Sequence, residues 1–568
     1  MKSFINKGIK GKEIKRVNYS ERVAEREKEL NLLRVRQDAD RDLLYLTRYV
    51  MKDAKNKAIA DIINVTLPKL ATFAKNVIAA MGSTSEQIIV ESPNPSFDTY
   101  YVESFQKAFF KENDRGLRQR GMFPLNPFFD EQICIRGGMS ARCVPQKVNG
   151  ILIPNIHPWD FRFVTWENDA DGLEYAAYGQ NTLRSASLIL AEYGVKIKGT
   201  YGQVLDVWDR THNEVWIDGK IEREQRHNFG FTPVIIEIVP SGSMLQDTDA
   251  IAHHGESIFS LVRDVNPELN RLISILQTLN LKAVKPPMKV KKQGGGKAPQ
   301  YEDITAMGSD TAMDINEDIA PIDYGDARRA AEMAYGILDK AMQEGSLNSF
   351  DMGTFDQSMS AIALIQIGEG RDQVFAPILN TKAYGNADLA EMFTKQVLQI
   401  GGEIEFGIDG RRSRWDTSKL KGEYITTYQY FPKSPKIEMA RFSMAASVGN
   451  LISERDKRIE ILQREDPEGD ERQLRWEEAE MISPAIRMNR IIRGLADMAE
   501  KGDETTEFEA ELLSAEMGVS LQMMLQGQGG NLPMVEKNKG QQMIPAFPTP
   551  TSQGAKEASD LAKTPEMP

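Results

Sequence analysis

Residues 255–287 read GESIFSLVRDVNPELNRLISILQTLNLKAVKPP, and their spacing organises the rest of the chain. Ile258, Leu261, Val262, Val265, Leu269, Leu272, Ile273, Leu276 and Leu279 recur in steps of three and four. That spacing places one apolar stripe along a helix. Asn266-Pro267-Glu268 interrupts the stripe: either the helix kinks there, or Asn266 caps a new helix with Pro267 at its first position. Pro286-Pro287 stops it. A compact excursion follows over 286–325, with Lys289, Lys291, Lys292, Gly294, Gly295, Gly296, Lys297, Pro299 and Pro321. A second helix is predicted over 326–344, then a polar glycine-containing loop over 345–357. Helix resumes over 358–378 and 387–400. Two helices around a short excursion make a stalk with a tip. A lone stalk can bury only one stripe, so it needs neighbours, and identical copies in a ring would supply them.

Upstream, 20–62 reads as helical, with Ser20 as cap and leucines on helical faces. A second helical run spans 59–81, is bent or started by Pro68, and is ended by Gly82. Over 128–240 the pattern changes to short strand-like runs at 133–135, 140–144, 151–156, 161–166, 173–178, 204–209, 215–217 and 234–239, with one helix near 185–193. Gly, Asp, Asn and Pro separate the runs, and Asp218-Gly219 is a tight-hairpin signal. Downstream, 403–431 reads as short strands and 437–517 as mostly helical. The Gln-, Gly-, Pro- and Ser-rich tail is predicted to be disordered. The fold class is therefore α+β.

Composition narrows the function. The chain has 568 residues, 41% hydrophobic and 27% charged, with a formal charge of −12. A protein that wraps nucleic acid in positive charge is excluded by that balance, whereas an acidic wall past which DNA slides is compatible with it. Cys134 and Cys143 are the only cysteines and read as reduced thiols. No apolar run reaches the ~18 residues of a membrane span. The basic start (Lys2, Lys7, Lys10, Lys12, Lys15, Arg16) is not followed by the apolar segment of a secretory signal.

Catalytic constellations are absent from the sequence. Gly294-Gly295-Gly296-Lys297 fails as a phosphate loop, with Lys291 where a glycine is needed and Ala298 where Ser or Thr is needed. His253 and His254 are adjacent, hence about 100° apart on a helix, and have no supporting ligand spacing. There is no Gly-x-Ser-x-Gly elbow. No catalytic residue, metal or cofactor is expected. The lysine cluster Lys282, Lys285, Lys289, Lys291, Lys292, Lys297 either contacts DNA phosphate or an acidic partner, or is a solvated loop. No aromatics interleave with it, so base stacking is not expected.

Several segments carry a family likeness. They are Asp130-Glu131-Gln132-Ile133-Cys134-Ile135-Arg136-Gly137-Gly138, Ile156-His157-Pro158-Trp159-Asp160-Phe161, Val207-Trp208-Asp209 with Trp216-Ile217-Asp218-Gly219-Lys220, His227 to Val234, Gly255-Glu256-Ser257-Ile258, Ser358-Met359-Ser360-Ala361, Ile452-Ser453-Glu454-Arg455 and Glu465-Asp466-Pro467-Glu468. In this order they resemble the portal proteins of tailed bacteriophages over roughly residues 20–515. The resemblance implies a dodecameric ring at one capsid vertex of the virion, assembled in the host cytoplasm. It assigns a wing to 1–250, a stem to 251–284 and 326–344, and a clip to 285–325. A tunnel loop falls at 345–357, the long helix and wing return at 358–436, a crown at 437–517, and a disordered tail at 518–568. The tunnel loop would line the DNA channel with Gly345, Ser346, Asn348, Ser349, Asp351 and Gly353. The clip would dock partners through Lys285, Lys289, Lys291, Lys292 and Lys297. Implied partners are further copies of the chain, double-stranded DNA, the packaging terminase, tail adaptors, and the major capsid and scaffolding proteins, with no membrane. The competing readings are another phage adaptor or ring protein, and a packaging enzyme.

Overall fold

The computed structural model describes residues 18–60, 62–148, 151–240, 247, 249–284, 288–291, 318–321, 327–345, 361–401, 403–408, 411–431 and 435–483, with isolated positions up to 513. The chain divides into two compact units, Met1–Glu471 and Arg472–Pro568. The first is an α+β body. In the second, the guanidinium of Arg490 lies 5.0 Å from the ring centroid of Trp476.

Two helices open the body, Tyr19–Glu29 and Asn31–Leu44. Asn18, not the expected Ser20, caps the first, accepting from the Glu21 amide at 3.5 Å. The helix expected over 20–62 stops at Leu44. Residues 47–60 and 62–67 are instead an extended arm, closed at its end by a bridge between Lys52 and Ala58. Helix then resumes at Lys69–Gly82, directly after Pro68. A proline in front of the first turn has no amide to leave unsatisfied there.

Helices Thr99–Gln119 and Leu125–Arg136 follow. The run 133–135, expected as strand, is the buried last turn of the second of these helices. A short continuous apolar run does not distinguish a buried strand from a buried helical turn.

The β-rich block is antiparallel throughout. A five-stranded sheet runs Lys220–Arg226, His212–Ile217, Val204–Asp209, Gly172–Tyr178, Val164–Asp169. A three-stranded sheet runs Val234–Ile238, Gly138–Cys143, Ile156–Trp159. The predicted hairpin is present: Ile217 pairs with Lys220 across Asp218 and Gly219. Both turn residues have positive φ, 47° and 78°, as a two-residue type I′ turn requires.

The long helix Ala361–Ile400 is continuous through Pro377. Its second half threads the main core, where Leu389, Ala390, Phe393 and Val397 are buried and the Phe393 ring stacks on Phe109 at 4.1 Å. Lys382 and Asp130 meet at 2.7 Å with 3% and 1% of their side chains exposed. Burial pushes the Asp130 carboxyl up, and the Lys382 charge opposes that. Strands Glu403–Ile408 and Arg411–Asp416 form a hairpin, and Ile425–Phe431 returns to pair with Ser85–Glu91. Cys134 and Cys143 are buried and free.

Candidate functional site

Two paired helices lie at the positions expected for the stalk. Helix Val265–Val284 ascends, strand Met288–Lys291 pairs antiparallel with Asp318–Pro321, and helix Ala327–Gly345 returns packed against the first helix. The stem expected from 251 is α-helical only from Val265: Ala250–His253 is a short 3-10 helix, and residues 258–264 are turns. Pro267 in the first turn fits a helix start, so of the two alternatives read from Asn266-Pro267 the structure has the new start, two residues earlier than expected, at Val265 rather than Pro267. The predicted stripe divides accordingly. Val262 and Leu269 sink into the body core, together with Phe259, which lies outside the stripe, while Leu261 is 78% exposed. The Ile258 amide donates to the Cys134 carbonyl at 3.0 Å, which ties the stalk root to the body.

Of the expected docking lysines, Lys289 and Lys291 lie on the distal strand; Lys285, Lys292 and Lys297 are outside the described residues. Gly345, expected in a loop, ends the returning helix. A Cβ there would stand 2.6 Å from a Val262 methyl, so its lack of a side chain lets the helix end close on the stalk root. Ser346, Asn348, Ser349, Asp351 and Gly353 are outside the described residues.

The returning helix has two unlike faces. Tyr335 and Leu338 pack against the core, and Met342 is buried in it. The Lys69 ammonium meets Asp339 and lies 5.8 Å from the Tyr335 ring centroid. Met333 and Ile337 are 65% and 69% exposed. At 100° per residue they sit roughly opposite that inward face, so the stalk shows apolar side chains on the side turned away from its own body.

Below the stalk lies a feature that the sequence alone does not reveal, a buried ionic network of five arginines and five carboxylates. Arg34 meets Glu27 at 3.1 Å. Arg162 bridges Glu27 and Asp38 at 3.4 and 3.1 Å. Arg136 lies 3.6 Å from Asp38 and 3.7 Å from Asp160. Nearer the stalk, Arg263 holds Asp40 at 2.6 Å and Glu256 at 2.7 Å, and Arg36 approaches Glu256 at 3.4 Å. The two halves join through the backbone: Arg36 donates to the Arg136 carbonyl at 3.2 Å and Arg136 to the Gln37 carbonyl at 2.6 Å. Burial pulls Arg36 down despite Glu256 and Asp40. For Arg263 the same burial is outweighed by hydrogen bonds and charge from Asp40 and Glu256, and it is raised. The network couples helix Asn31–Leu44, the end of helix Leu125–Arg136, the edge of the β-rich block and the stalk root.

No protein-family model matches the chain, and no curated protein matches it. Among solved structures it is similar to a chain from the neck of an empty GTA particle computed with C6 symmetry, at TM-score 0.40 and 12% identity, over 69% of this chain and 89% of that one. It is similar to a chain from the neck of a native GTA particle computed with C12 symmetry, at TM-score 0.32 and 13% identity, over 68% and 98%. A chain from the virion of a native gene transfer agent (GTA) particle gives 0.31 and 12%, over 68% and 98%. Likeness at this level decides nothing about what the chain does.

Two glycines make the joint possible. Gly137 ends helix Leu125–Arg136 at φ 76°, and a Cβ on it would fall 1.6 Å from the Gly255 carbonyl oxygen. Gly255 has φ 69°, and its own Cβ would fall 2.3 Å from the Gly137 oxygen. Two backbones cross there, and neither tolerates a side chain. Gly137→Ala is expected to destabilise the protein by about 3 kcal/mol or more, through left-handed strain plus backbone overlap. The guanidinium chloride midpoint measures it.

A cleft of about 910 Å³ is lined by residues of strand Val234–Ile238 and of the long helix. There the Glu237 carboxyl hydrogen-bonds that of Asp388, with Glu391 and Lys395 along the same rim. Burial first, then the Asp388 charge, pushes Glu237 up to about 8. A carboxyl raised above its unfolded value contributes stability that is complete below about 4.5 and is lost as pH rises to about 8. Thermal unfolding from pH 5 to 9 should show that loss, and Glu237→Gln should flatten it.

Among the described residues, no three His, Cys, Asp or Glu side chains are grouped to hold a metal ion, and no helix is long and apolar enough to cross a membrane.

Proposed function

We propose that the chain is the subunit of a portal ring at one vertex of a phage-like capsid, through which double-stranded DNA enters and leaves. The observation that carries this reading is the stalk. It is a helical hairpin with a small β tip, rooted in an α+β body, with Met333 and Ile337 on a face its own chain leaves bare. Two exposed apolar side chains one helical turn apart on the same face suit a surface that another copy covers, and a head-to-tail contact that closes on itself produces a ring. The order of sequence segments that resembles the portal family supports the same reading.

In this reading the chain makes and breaks no covalent bond. The stalk tip docks the packaging terminase during filling and tail adaptors afterwards. The body contacts the major capsid and scaffolding proteins. The net negative charge keeps DNA from adhering to the wall, and at physiological salt only groups within about 8–10 Å of the duplex matter. Electron microscopy of the purified protein tests the reading. Twelve-fold or near-twelve-fold rings with a hole about one duplex wide are expected. Six-fold stacked discs would assign the chain to a tail adaptor, and a permanent monomer would end the ring reading.

A further inference from the structure

The arm of residues 47–60 and 62–67 is held to the stalk in an unusual way. The amides of Ile63, Val65 and Leu67 donate to Thr278 Oγ1, Ser274 Oγ and Asn270 Oδ1 at 3.0, 2.9 and 2.8 Å. The amides of Tyr49 and Met51 donate to Thr66 Oγ1 and Asn64 Oδ1, each at 2.8 Å. Side chains therefore replace the main-chain ladder at these positions, and main-chain bonds return only toward the turn, where the Ile59 amide donates to the Met51 carbonyl at 3.0 Å. The spacing works because two extended residues advance ~6.6 Å while four helical residues advance ~6.0 Å. As residue number falls from 67 to 63, the partner on helix Val265–Val284 climbs from 270 to 278. The arm thus runs up the stalk toward the end that carries strand Met288–Lys291.

Its turn, residues 52–58, is preformed. Asp53 Oδ1 accepts the amides of Lys55 and Lys57 at 2.8 and 2.9 Å, and Asn56 takes a positive φ of 63°. The turn's one carboxylate is spent on holding its shape. Arg48, Lys52, Lys55 and Lys57 are all exposed, and among the described residues none of them forms an ion pair. Four exposed cations against a single carboxylate in ten residues stand out in a chain of formal charge −12.

We propose that this turn is a contact site for the phosphate backbone of duplex DNA, without sequence preference. The side chains at the turn decide between nucleic acid and protein. Lys52, Asp53, Ala54, Lys55, Asn56, Lys57 and Ala58 include no aromatic or large apolar group. Protein interfaces are anchored by such groups and are depleted in lysine. Phosphate is held by lysine, asparagine and backbone amides. The lack of aromatics leaves no means of stacking on bases, so the binding is to the backbone alone. Because the turn is already formed, binding does not have to order it.

The test is fluorescence anisotropy of a short random-sequence duplex with the full-length protein, titrated between about 50 and 200 mM salt. Lys52→Gln, Lys55→Gln and Lys57→Gln together should weaken binding at least tenfold at the low-salt end. They should also reduce the salt slope by about 2 to 3, at ~0.9 for each phosphate no longer neutralised. A control triple with the same charge change on the β-rich block, Lys196→Gln, Lys198→Gln and Lys220→Gln, should leave the slope unchanged. An unchanged slope in the arm variant, or an equal fall in the control, overturns the proposal. Displacement of the duplex by poly-glutamate at equal charge concentration also overturns it and reassigns the turn to acidic polypeptides. The binding measurement does not require rings, so a chain that never assembles leaves this site standing.

Discussion

Asp40→Ala is expected to destabilise the protein by about 3–5 kcal/mol, the range for removing one partner of a buried ion pair. Asp40 is 0% exposed and receives two hydrogen bonds from Arg263, at 2.6 and 3.1 Å. Arg36, 6% exposed, lies within 3.9 Å of it. Removal of the carboxylate leaves two guanidinium groups sharing only Glu256, in a site where burial already works against Arg36. The cost arises from stranded charge rather than from a loss of packing. Asp40→Leu combined with Arg263→Met, which removes both partners for apolar groups, should therefore recover a large part of the stability. Urea or guanidinium chloride midpoints measure both. A single variant that costs less than about 1 kcal/mol, the usual worth of an exposed pair, would show that water reaches the joint.

How much of the fold is legible in the chain depends on whether the signal is local. The Asp218-Gly219 hairpin, the returning helix and the hairpin of strands Glu403–Ile408 and Arg411–Asp416 rest on neighbours in sequence, and the structure contains them. The arm rests on partners about 200 positions away: Thr278 receives the amide of Ile63, and Asn270 that of Leu67. Asn270, Ser274 and Thr278 form a polar stripe at i, i+4, i+8 beside the apolar one. The stripe is visible as a pattern, but nothing local says that an extended segment will hang on it. Without it, 47–67 reads as more helix. The ionic joint is hidden for the opposite reason. Arg34, Arg36 and Asp40 look like an ordinary solvated helix face, and become interior only when Arg136, Arg162 and Arg263 arrive from three other segments. The Arg136-Gly137 pair is visible in the sequence. Its physical reason, a backbone crossing with Gly255, needs both strands of the crossing in view.

The same distinction between local pattern and distant partner governs the stalk's outer face, where the second large effect is expected. Met333→Glu with Ile337→Glu should abolish higher-order assembly while leaving the subunit folded. Each side chain is more than three-fifths exposed in the single chain, so a carboxylate there remains solvated and costs the isolated subunit little. In a ring, both positions become buried against a neighbour, and an unpaired buried charge costs several kcal/mol. A closed ring multiplies that penalty, because each of its interfaces contains the same two substitutions. Sedimentation velocity should show the wild type as a ring and the double variant as a monomer with unchanged thermal stability. Met333→Leu with Ile337→Val, which keeps the face apolar, should assemble. Should the glutamate variant form rings as readily as the wild type, the outer face is not where the copies meet, and the ring reading loses the observation that carries it.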